Sequence, residues 1–514
     1  ADHGGPVGTR RTELMAKGRL YLRNDADRRD ALEVKLGLAH EDSRSTYLGL
    51  HPDDYDDNPW RRYLTTSEAR MQWTRNQATL SYLHTTPGKL QLRVTAYRHQ
   101  LHRDWRKFNA FAGGTDAYEV LTSPDAGANA PWLALLRGQA DSLTPDENLL
   151  IGNNDRSFVA SGVSGLARFV ARDGDGPTLR GEVGLRVHYD DVHRLHTYDT
   201  YAMQDGALVA TDADRVTTRD DTAHALAFAA HTAWDLGLGD FHVEPGFRTE
   251  VIRTWIVDAT KPEIRVHPLP GLGLRYQPSE HVAVFGGAYR GFSPVAPEGA
   301  QDAQPETAWN GEIGVRAQQG SARGELTGFI SDYRNLTGQC TFSSGCTDDQ
   351  VGDQFNAGQV RVVGVEAAAS HDVDLGRGFT LPVGATATFT DATFLTTFQS
   401  AFPQFGSVEM GDKLPYLPRW QGTGRIGINH YRASLDGSVE AVSGQLDTAG
   451  DLTEPDVAGR ALVHASARVR ILDQLQVYTT AQNLLNSTAV ASLRPLGPRP
   501  VGRRTFWIGI KAEL

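Results

Sequence analysis

The sequence predicts an all-β fold: a transmembrane antiparallel β-barrel, with about 19 strands in this chain of a barrel of about 22. In the closing segment, Phe506, Ile508 and Ile510 fall on one face of a strand, while Lys511 and Glu513 fall on the other. Similar segments recur along the chain, and the gaps between them alternate between short and long. No segment approaches the roughly 18–20 consecutive apolar residues of a membrane helix. This pattern is typical of a sheet with lipid on one face and water on the other.

The predicted strands form hairpins in chain order. Segment 70–84 is joined to 89–103 by "TTPG", and 157–172 is joined to 178–189 through "DGDGP", both of which have the composition of turns. The other predicted strands are 17–24, 30–40, 221–237, 240–257, 264–278, 281–292, 307–319, 323–335, 359–373, 379–394, 418–431, 433–446, 459–471, 474–486 and the closing segment 497–514. A longer connection separates each hairpin from the next.

The alternation of short and long gaps also predicts an orientation. Outer-membrane barrels place short turns on the periplasmic side and long loops outside, and a single-chain bacterial barrel has an even number of strands. About 19 strands therefore need an odd number in front, and three more would give the size of the plugged outer-membrane transporters, about 22. We expect residues 1–514 to be the barrel domain without its first three strands. The chain has neither a starting Met nor an apolar signal core, which indicates a processed or trimmed sequence.

Composition excludes some classes of function. The 514 residues include 51 basic and 62 acidic side chains, and the resulting net charge of −11 argues against nucleic-acid binding. A mean hydropathy of −0.39 fits a barrel with large wet loops, although it also fits a soluble protein. No G-x-S-x-G elbow, H-E-x-x-H motif or phosphate loop is present, so the sequence does not predict an enzyme.

Several stretches, spread over nearly the whole chain, carry a family resemblance. They are "STYLGLHPDDYDDNPWRRYLTTSEARMQWTR" (45–75), "GLRVHYDD" (184–191), "AYRGFSPVAPEG" (288–299), "QPETAWNGEIGVR" (304–316), "RVVGVEAAASHD" (361–372), "LPYLPRWQGTGRIGI" (414–428) and "AQNLLNSTAVASLRPLGPRPVGRRTFWIGIKAEL" (481–514). In this order they resemble the barrel of TonB-dependent outer-membrane receptors, in the branch similar to ferric-citrate and siderophore receptors. Single motifs of this kind are weak, but several in the right order are specific.

The resemblance implies a receptor in the bacterial outer membrane, surrounded by its lipid, that takes up a ferric chelate such as ferric citrate or another siderophore. It implies no cofactor, and it implies energy from the TonB–ExbB–ExbD complex, delivered through a plug domain. Neither the plug nor the family's TonB-contacting box is found in 1–514, so a second polypeptide that supplies the plug and the missing strands is a further expectation. The alternatives are a component of a multi-chain or split outer-membrane complex, and a receptor or channel for cobalamin or an oligosaccharide.

Ligand-binding residues follow from the charge of the implied ligand. Ferric chelates are anionic, and carboxylates are held best by arginine guanidinium groups. The candidates at loop bases that open on the lumen are Arg61, Arg62, Arg103, Arg106 and Arg156. For each of them the alternative is a solvated or salt-bridged loop residue.

The two cysteines lie close together in "GQCTFSSGC", and we predict a disulfide between Cys340 and Cys346, formed in an oxidising compartment. The alternative is two free thiols, and no second pair is present that would indicate a zinc site. The stretch "HYDDVHRLH" superficially resembles a metal site through its histidines and aspartates, His188, Asp190, Asp191, His193 and His196. Its residues would point in different directions along a strand, so we expect a solvated strand end and no metal.

Overall fold

The structure is a computed structural model that describes residues 8–44, 46–123, 127–174, 176–258, 262–297, 304–341, 344–346 and 353–513. Within these ranges the helices are short: α1 (Pro52–Asp57), α2 (Ala117–Thr122), α3 (Ala130–Arg137) and the 3₁₀ turns Leu64–Thr66 and Pro145–Glu147. No helix in this part of the chain is long and apolar enough to cross a membrane.

Strands form nearly all of the rest, and 20 of them belong to one sheet. They are β1 (Thr9–Asn24), β2 (Arg29–Ser43), β3 (Arg70–Thr86), β4 (Leu90–Phe111), β5 (Leu149–Arg172), β6 (Thr178–Gln204), β7 (Ala207–Ala210), β8 (Val216–Leu238), β9 (Phe241–Ile256), β10 (Glu263–Ser279), β11 (Val282–Ser293), β12 (Glu306–Gln319), β13 (Ala322–Arg334), β16 (Gln359–Gly376), β17 (Phe379–Phe394), β20 (Trp420–His430), β21 (Ala433–Val442), β22 (Arg460–Leu472), β23 (Leu475–Gln482) and β26 (Thr505–Ala512). Short pairs in the connections are β14 (Thr337–Gln339) with β15 (Gln354–Asn356), β18 (Phe398–Gln399) with β19 (Ser407–Val408), and β24 (Val490–Ser492) with β25 (Arg499–Pro500).

The sheet is a ladder of antiparallel neighbours in chain order. β7 pairs only with the end of β6, and β6 continues to β8, so the other 19 strands of the 20 form the ladder from β1 to β26. This confirms the predicted all-β fold and its strand number. The turns at one end are short, and several of them place a glycine in the left-handed region, such as Gly88 at φ 68° and Gly320 at φ 58°. The connections at the opposite end are long, as the spacing predicts.

The first and last strands of the ladder leave a seam. Among the described residues β1 pairs with β2 alone and β26 with β23 alone. Because an odd number of strands alternates in direction between them, β1 and β26 both run from the end with long connections to the end with short turns. Two parallel edges cannot be neighbours in an antiparallel sheet, so the ladder as described stays open here.

Register separates the two faces of the sheet. One row of opposed residues, read across nine strands, consists of Gly18, Val34, Leu80, Ala96, Val163, Val187, Phe228, Val251 and Val266. The adjacent row on the other face consists of Arg19, Glu33, Ser81, Thr95, Ser164, Arg186, Ala229, Glu250 and His267. The apolar row lies on the lipid face and the polar row on the lumen face.

The long connections fold over the mouth and bury their own apolar residues. We call the larger cluster the seam core: Leu48, Leu50, Tyr63, Phe108, Phe111, Ala117, Val120, Leu121, Leu133, Leu135, Leu136, Leu149, Ile151, Met203 and Leu496. It crosses the seam, because the Leu50 amide donates to the Pro498 carbonyl at 3.0 Å and Leu48 bridges to Leu496. The two edges of the open sheet are therefore joined on the loop side.

A second cluster, the aromatic core, is built from β16, β17 and the connections that follow β13 and β17. It contains Cys340, Cys346, Ala357, Val360, Ala392, Phe394, Phe402, Phe405 and Val408. The rings of Phe402 and Phe405 meet edge to face with centroids 4.7 Å apart. A disulfide joins Cys340 to Cys346 with both side chains buried, so this loop is covalently closed.

A buried ion pair connects the two clusters. Asp447 and Arg494 meet at 3.0 Å, and their side chains are only 6% and 9% exposed. Tyr118, from α2 in the seam-core region, donates to Asp447 at 2.9 Å, and the Tyr416 hydroxyl donates to the other oxygen of the same carboxylate. An Arg494 Nη also donates to the carbonyl of Pro403 at 3.4 Å, beside the aromatic core.

Candidate functional site: a basic row on the lumen wall

Four basic side chains gather on the lumen face of four neighbouring strands. Arg103 of β4 lies opposite Arg156 of β5, which lies opposite Arg194 of β6. Arg219 of β8 lies opposite His196, two residues after Arg194. We call Arg103, Arg156, Arg194 and Arg219 the basic row. The parity of their positions is that of the polar row, because side chains two residues apart point to the same face.

The basic row stands beyond the lipid-facing band. On the outer face at this level, the opposed residues are Thr12, His40, Thr74, His102, Ser157, His193 and Thr222, all of them polar. Arg103 is eight residues closer to the loop end than Thr95 of the polar row, which corresponds to roughly 26 Å of strand. The site therefore faces the mouth of the lumen, just below the seam core.

Arg103 and Arg156 carry the least compensated charge. Among the described residues neither has a carboxylate within salt-bridge distance, and the Arg103 Nε is buried without a hydrogen-bond partner. The guanidinium of Arg103 lies 5.7 Å from the centre of the Trp105 ring. Burial, and after it the charges of the neighbouring Arg103 and Arg194, lower the pKa of Arg156 to about 10.

The other half of the row is partly neutralised. Arg194 and Arg219 each donate through Nε to a different oxygen of Asp221, at 2.6 Å in both cases. His196, only 3% exposed, accepts a hydrogen bond through Nε2 from Arg156 Nε at 2.9 Å. Burial and then the charge of Arg156 lower the pKa of His196 to about 3, so this imidazole is neutral at neutral pH.

This arrangement is suited to holding an anion. Guanidinium groups in a partly dehydrated wall bind carboxylates and similar oxyanions more strongly than they do in bulk water. The described residues contain no group of three or more His, Cys, Asp or Glu side chains that could hold a metal ion. The guanidinium groups of the basic row are suited to electrostatic capture of a ligand that carries negative charge.

The structure brings together only some of the predicted arginines. Arg61 and Arg62 lie in the connection after β2 and line a cavity of about 460 Å³ beside the seam, together with Arg44, Arg499 and Arg503. Arg61 is bound to Asp54 and Asp57, at 2.6 Å each, and burial lowers the pKa of Arg62. Neither joins the basic row.

Arg106 has acidic partners of its own. It lies 3.0 Å from Asp199 and 3.4 Å from Glu68, and it donates to the Tyr201 hydroxyl at 2.6 Å. The positive charge of Arg106 is therefore offset by carboxylates of the protein itself. Ligand contact by the five predicted arginines stays a prediction, with Arg103 and Arg156 placed best for it.

Sequence reasoning did not name Arg194 or Arg219 as candidates, and it placed His196 in a solvated strand end, whereas its side chain is buried. Arg194 and His196 belong to "HYDDVHRLH", which suggested a solvated strand end. Their spacing of two residues puts both on one face of a strand, and that was the available signal. The chain alone does not show that this face meets Arg156 on the neighbouring strand.

Comparison with known proteins identifies the family. The family model described as "TonB dependent receptor-like, beta-barrel" matches residues 18–484. The chain belongs to this family. The TonB-dependent receptors are outer-membrane transport proteins and not enzymes, so the predicted family and the predicted absence of enzyme activity are confirmed. No curated protein sequence matches the chain.

Solved receptor structures share the fold. The ferric citrate transporter FecA, in its unliganded form, is 18% identical with a TM-score of 0.71, over 98% of this chain and 70% of that one. The ferric-catecholate import receptor Fiu from E. coli K12 is 15% identical with a TM-score of 0.67, over 99% and 76%. The siderophore receptor PiuA from Acinetobacter baumannii is 10% identical with a TM-score of 0.72, over 100% and 76%. At these identities the likeness establishes the fold of this TonB-dependent receptor.

Proposed function

We propose that this receptor spans the bacterial outer membrane, binds an anionic ferric chelate such as ferric citrate or another siderophore at the basic row, and imports it. The observation that carries the proposal is the pair Arg103 and Arg156, which have no carboxylate in salt-bridge range among the described residues. A lumen wall with uncompensated guanidinium groups selects a ligand with negative charge. FecA, a ferric citrate transporter, and Fiu, a ferric-catecholate import receptor, share this fold, and their ligands favour a ferric chelate over an uncharged nutrient.

The test is growth on defined iron sources. A strain that lacks the gene should fail to grow when a chelate of this class, beginning with Fe(III)–citrate, is the only iron source, and the wild-type gene should restore growth. The double variant Arg103→Ala/Arg156→Ala should restore it poorly, because each lost charged hydrogen bond weakens binding by about tenfold or more. Uptake of ⁵⁵Fe-labelled chelate measures the same defect directly.

Arg98 provides the matched control. It lies on β4 like Arg103 but at a position of the opposite parity, on the outer face of the sheet. Arg98→Ala should therefore transport like the wild type. Iron uptake that is unchanged in the deletion strain would contradict the proposal and would favour the other nutrients, cobalamin or an oligosaccharide.

The seam supports a second proposal. Its parallel edges, β1 and β26, require an odd number of additional strands for antiparallel closure, and three would give the even total of about 22. We propose that the receptor in the cell contains three such strands and a plug domain through which the TonB–ExbB–ExbD complex delivers energy. The strands and plug belong either to the same polypeptide or to a second one in a split complex.

Purification from the outer membrane distinguishes these forms. A tag placed in an exposed connection of the barrel, followed by intact mass spectrometry under denaturing conditions, should yield either one longer polypeptide or a second chain in equal amount. A single species with the mass of residues 1–514 would contradict the proposal of additional strands and a plug.

A further inference from the structure

We infer that His196 is a positioning residue that orients Arg156 toward the ligand without cancelling its charge, an inference that rests on the proposed function. The contact is direct, because Arg156 Nε lies 2.9 Å from His196 Nε2. A guanidinium can only donate, so the imidazole nitrogen must accept, and the ring proton then sits on Nδ1. The histidine is 3% exposed, and among the described residues this is the only hydrogen bond of the Arg156 side chain.

The surroundings of His196 keep it neutral. The charged groups that act on it come from four strands: Lys107 on β4, Arg156 on β5, Arg194 on β6 and Arg219 on β8. Each of these cations disfavours an imidazolium, and burial acts in the same direction. Asp221, the carboxylate whose charge acts on Arg156, is already shared by Arg194 and Arg219. His196 therefore remains a neutral hydrogen-bond acceptor at neutral pH.

The choice of a histidine and not an acid at this position has an electrostatic consequence. Asp221 holds Arg194 and Arg219 by ion pairing, and in doing so it offsets their positive charge. His196 holds Arg156 by its Nε alone and adds no negative charge. The two terminal Nη groups of Arg156 can then donate bidentate hydrogen bonds to a ligand carboxylate, and no nearby negative charge on His196 offsets the charge of the guanidinium.

Three substitutions separate orientation from charge. His196→Gln keeps a neutral acceptor, and we expect the dissociation constant for Fe(III)–citrate to rise by no more than about threefold. His196→Asp keeps an acceptor and places a negative charge beside Arg156, so the constant should rise by about tenfold. His196→Phe removes the acceptor and should also cost about tenfold.

Tryptophan fluorescence of the full-length receptor in detergent micelles reports the binding, because the Trp105 ring adjoins Arg103 in the basic row. The melting temperature of each variant is measured alongside. If His196 had a purely structural role, Asp could replace it without weakening the binding of Fe(III)–citrate, because Asp pairs well with Arg. The decisive expectation is therefore that the His196→Asp variant has the melting temperature of the wild type and a higher dissociation constant for Fe(III)–citrate. The difference between the two dissociation constants should become smaller as salt is added.

His193→Gln is the control for a histidine change on the same strand. His193 faces the outer side of β6, opposite Ser157, and lies 3.2 Å from Asp220. It should bind Fe(III)–citrate like the wild type. If His196→Asp and His196→Phe also bind like the wild type, the inference is overturned while the proposed function stands. If the wild-type receptor binds no ferric chelate, the proposed function fails, and this inference fails with it.

Discussion

The seam core and the aromatic core both order the long connections over the mouth, but they are built from different kinds of contact. The seam core collects residues from connections that are far apart in the chain, as the bridge between Leu48 and Leu496 shows. The aromatic core uses two connections that follow one another on the ladder, after β13 and after β17. A core closed by distant segments depends on correct assembly of the whole ladder, whereas a local one can form by itself.

Their means of stabilisation differ accordingly. The seam core contains two helices and is bordered by Asp54, a buried carboxylate that binds Arg61 and Arg137 at 2.6 and 2.7 Å. The aromatic core is smaller and carries the disulfide between Cys340 and Cys346. Small clusters bury too little apolar surface to be stable alone, and a covalent link is the usual compensation. The comparison predicts that the two regions unfold separately unless something couples them.

The coupling element is the pair Asp447–Arg494, and its removal should have the largest effect. Asp447→Ala leaves Arg494 buried without its carboxylate and removes the acceptor of Tyr118 and Tyr416. Loss of one partner of a buried ion pair costs roughly 3–5 kcal/mol. Hydrogen-exchange protection should therefore fall in both cores at once, as measured by mass spectrometry on peptides from α3 and from 398–408.

Asp451 supplies a control in the same connection, because it is exposed and, within the described part of the chain, accepts hydrogen bonds only from Thr453 nearby. Asp451→Ala should leave protection in both cores unchanged. A loss confined to one core in the Asp447→Ala variant would show that the ion pair belongs to that core and does not couple the two.

Removal of the disulfide should give a smaller, one-sided effect. The bond closes a loop with a sequence separation of 6, and the chain-entropy model gives about 2 kcal/mol for a loop of this length. The double variant Cys340→Ser/Cys346→Ser should lose protection in peptides from 398–408 and keep it in α3. Equal losses in both cores would mean that the aromatic core is not an independent unit.

The strand ladder could be predicted from sequence, but its extent above the membrane could not. Each predicted segment corresponds to a strand, yet β5 begins at Leu149 and β6 ends at Gln204, well beyond the predicted 157–172 and 178–189. Alternation of apolar and polar residues marks a strand only where the two faces meet different solvents. Above the lipid this contrast ends: Leu149, Ile151 and Met203 pack into the seam core, while polar side chains occupy both faces near Arg156. The regular alternation therefore disappears although the hydrogen-bonded ladder continues.

The candidate site shows the same limit. Arg103 and Arg156 could be proposed from residue type and position near loop bases. Their union with Arg194 depends on the register between β5 and β6, a non-local property that the hydrophobic pattern leaves open wherever both faces are polar. The acidic residues that form ion pairs with Arg61 and Arg106, and so offset their charges, are likewise visible only in three dimensions.

The smallest expected effect is a difference in pH response between the two regions. The pKa of His196, beneath the seam core, is lowered from 6.5 to about 3 by burial and the neighbouring cations. As pH falls below 6.5, His196 therefore takes up a proton in the unfolded chain but stays neutral in the folded protein, and the free energy of unfolding decreases. Beside the aromatic core, burial raises the pKa of Glu306 above 4.5, so the folded state is protonated first, and stability increases as pH falls toward 4.5.

Two other carboxylates do not change the stability of either core between pH 7 and pH 5.5. Burial acts to raise the pKa values of Asp54 and Asp391, but hydrogen bonds from Arg137 and Lys413 lower them below 3.8, so their contributions are lost only in stronger acid. Between pH 7 and pH 5.5 we therefore expect the seam core to lose roughly 1 kcal/mol of protection, corrected for intrinsic exchange, and the aromatic core to lose none. His196→Gln should abolish the seam-core loss, because glutamine does not titrate. A loss that persists in this variant would mean that another group near the seam core carries the acid sensitivity.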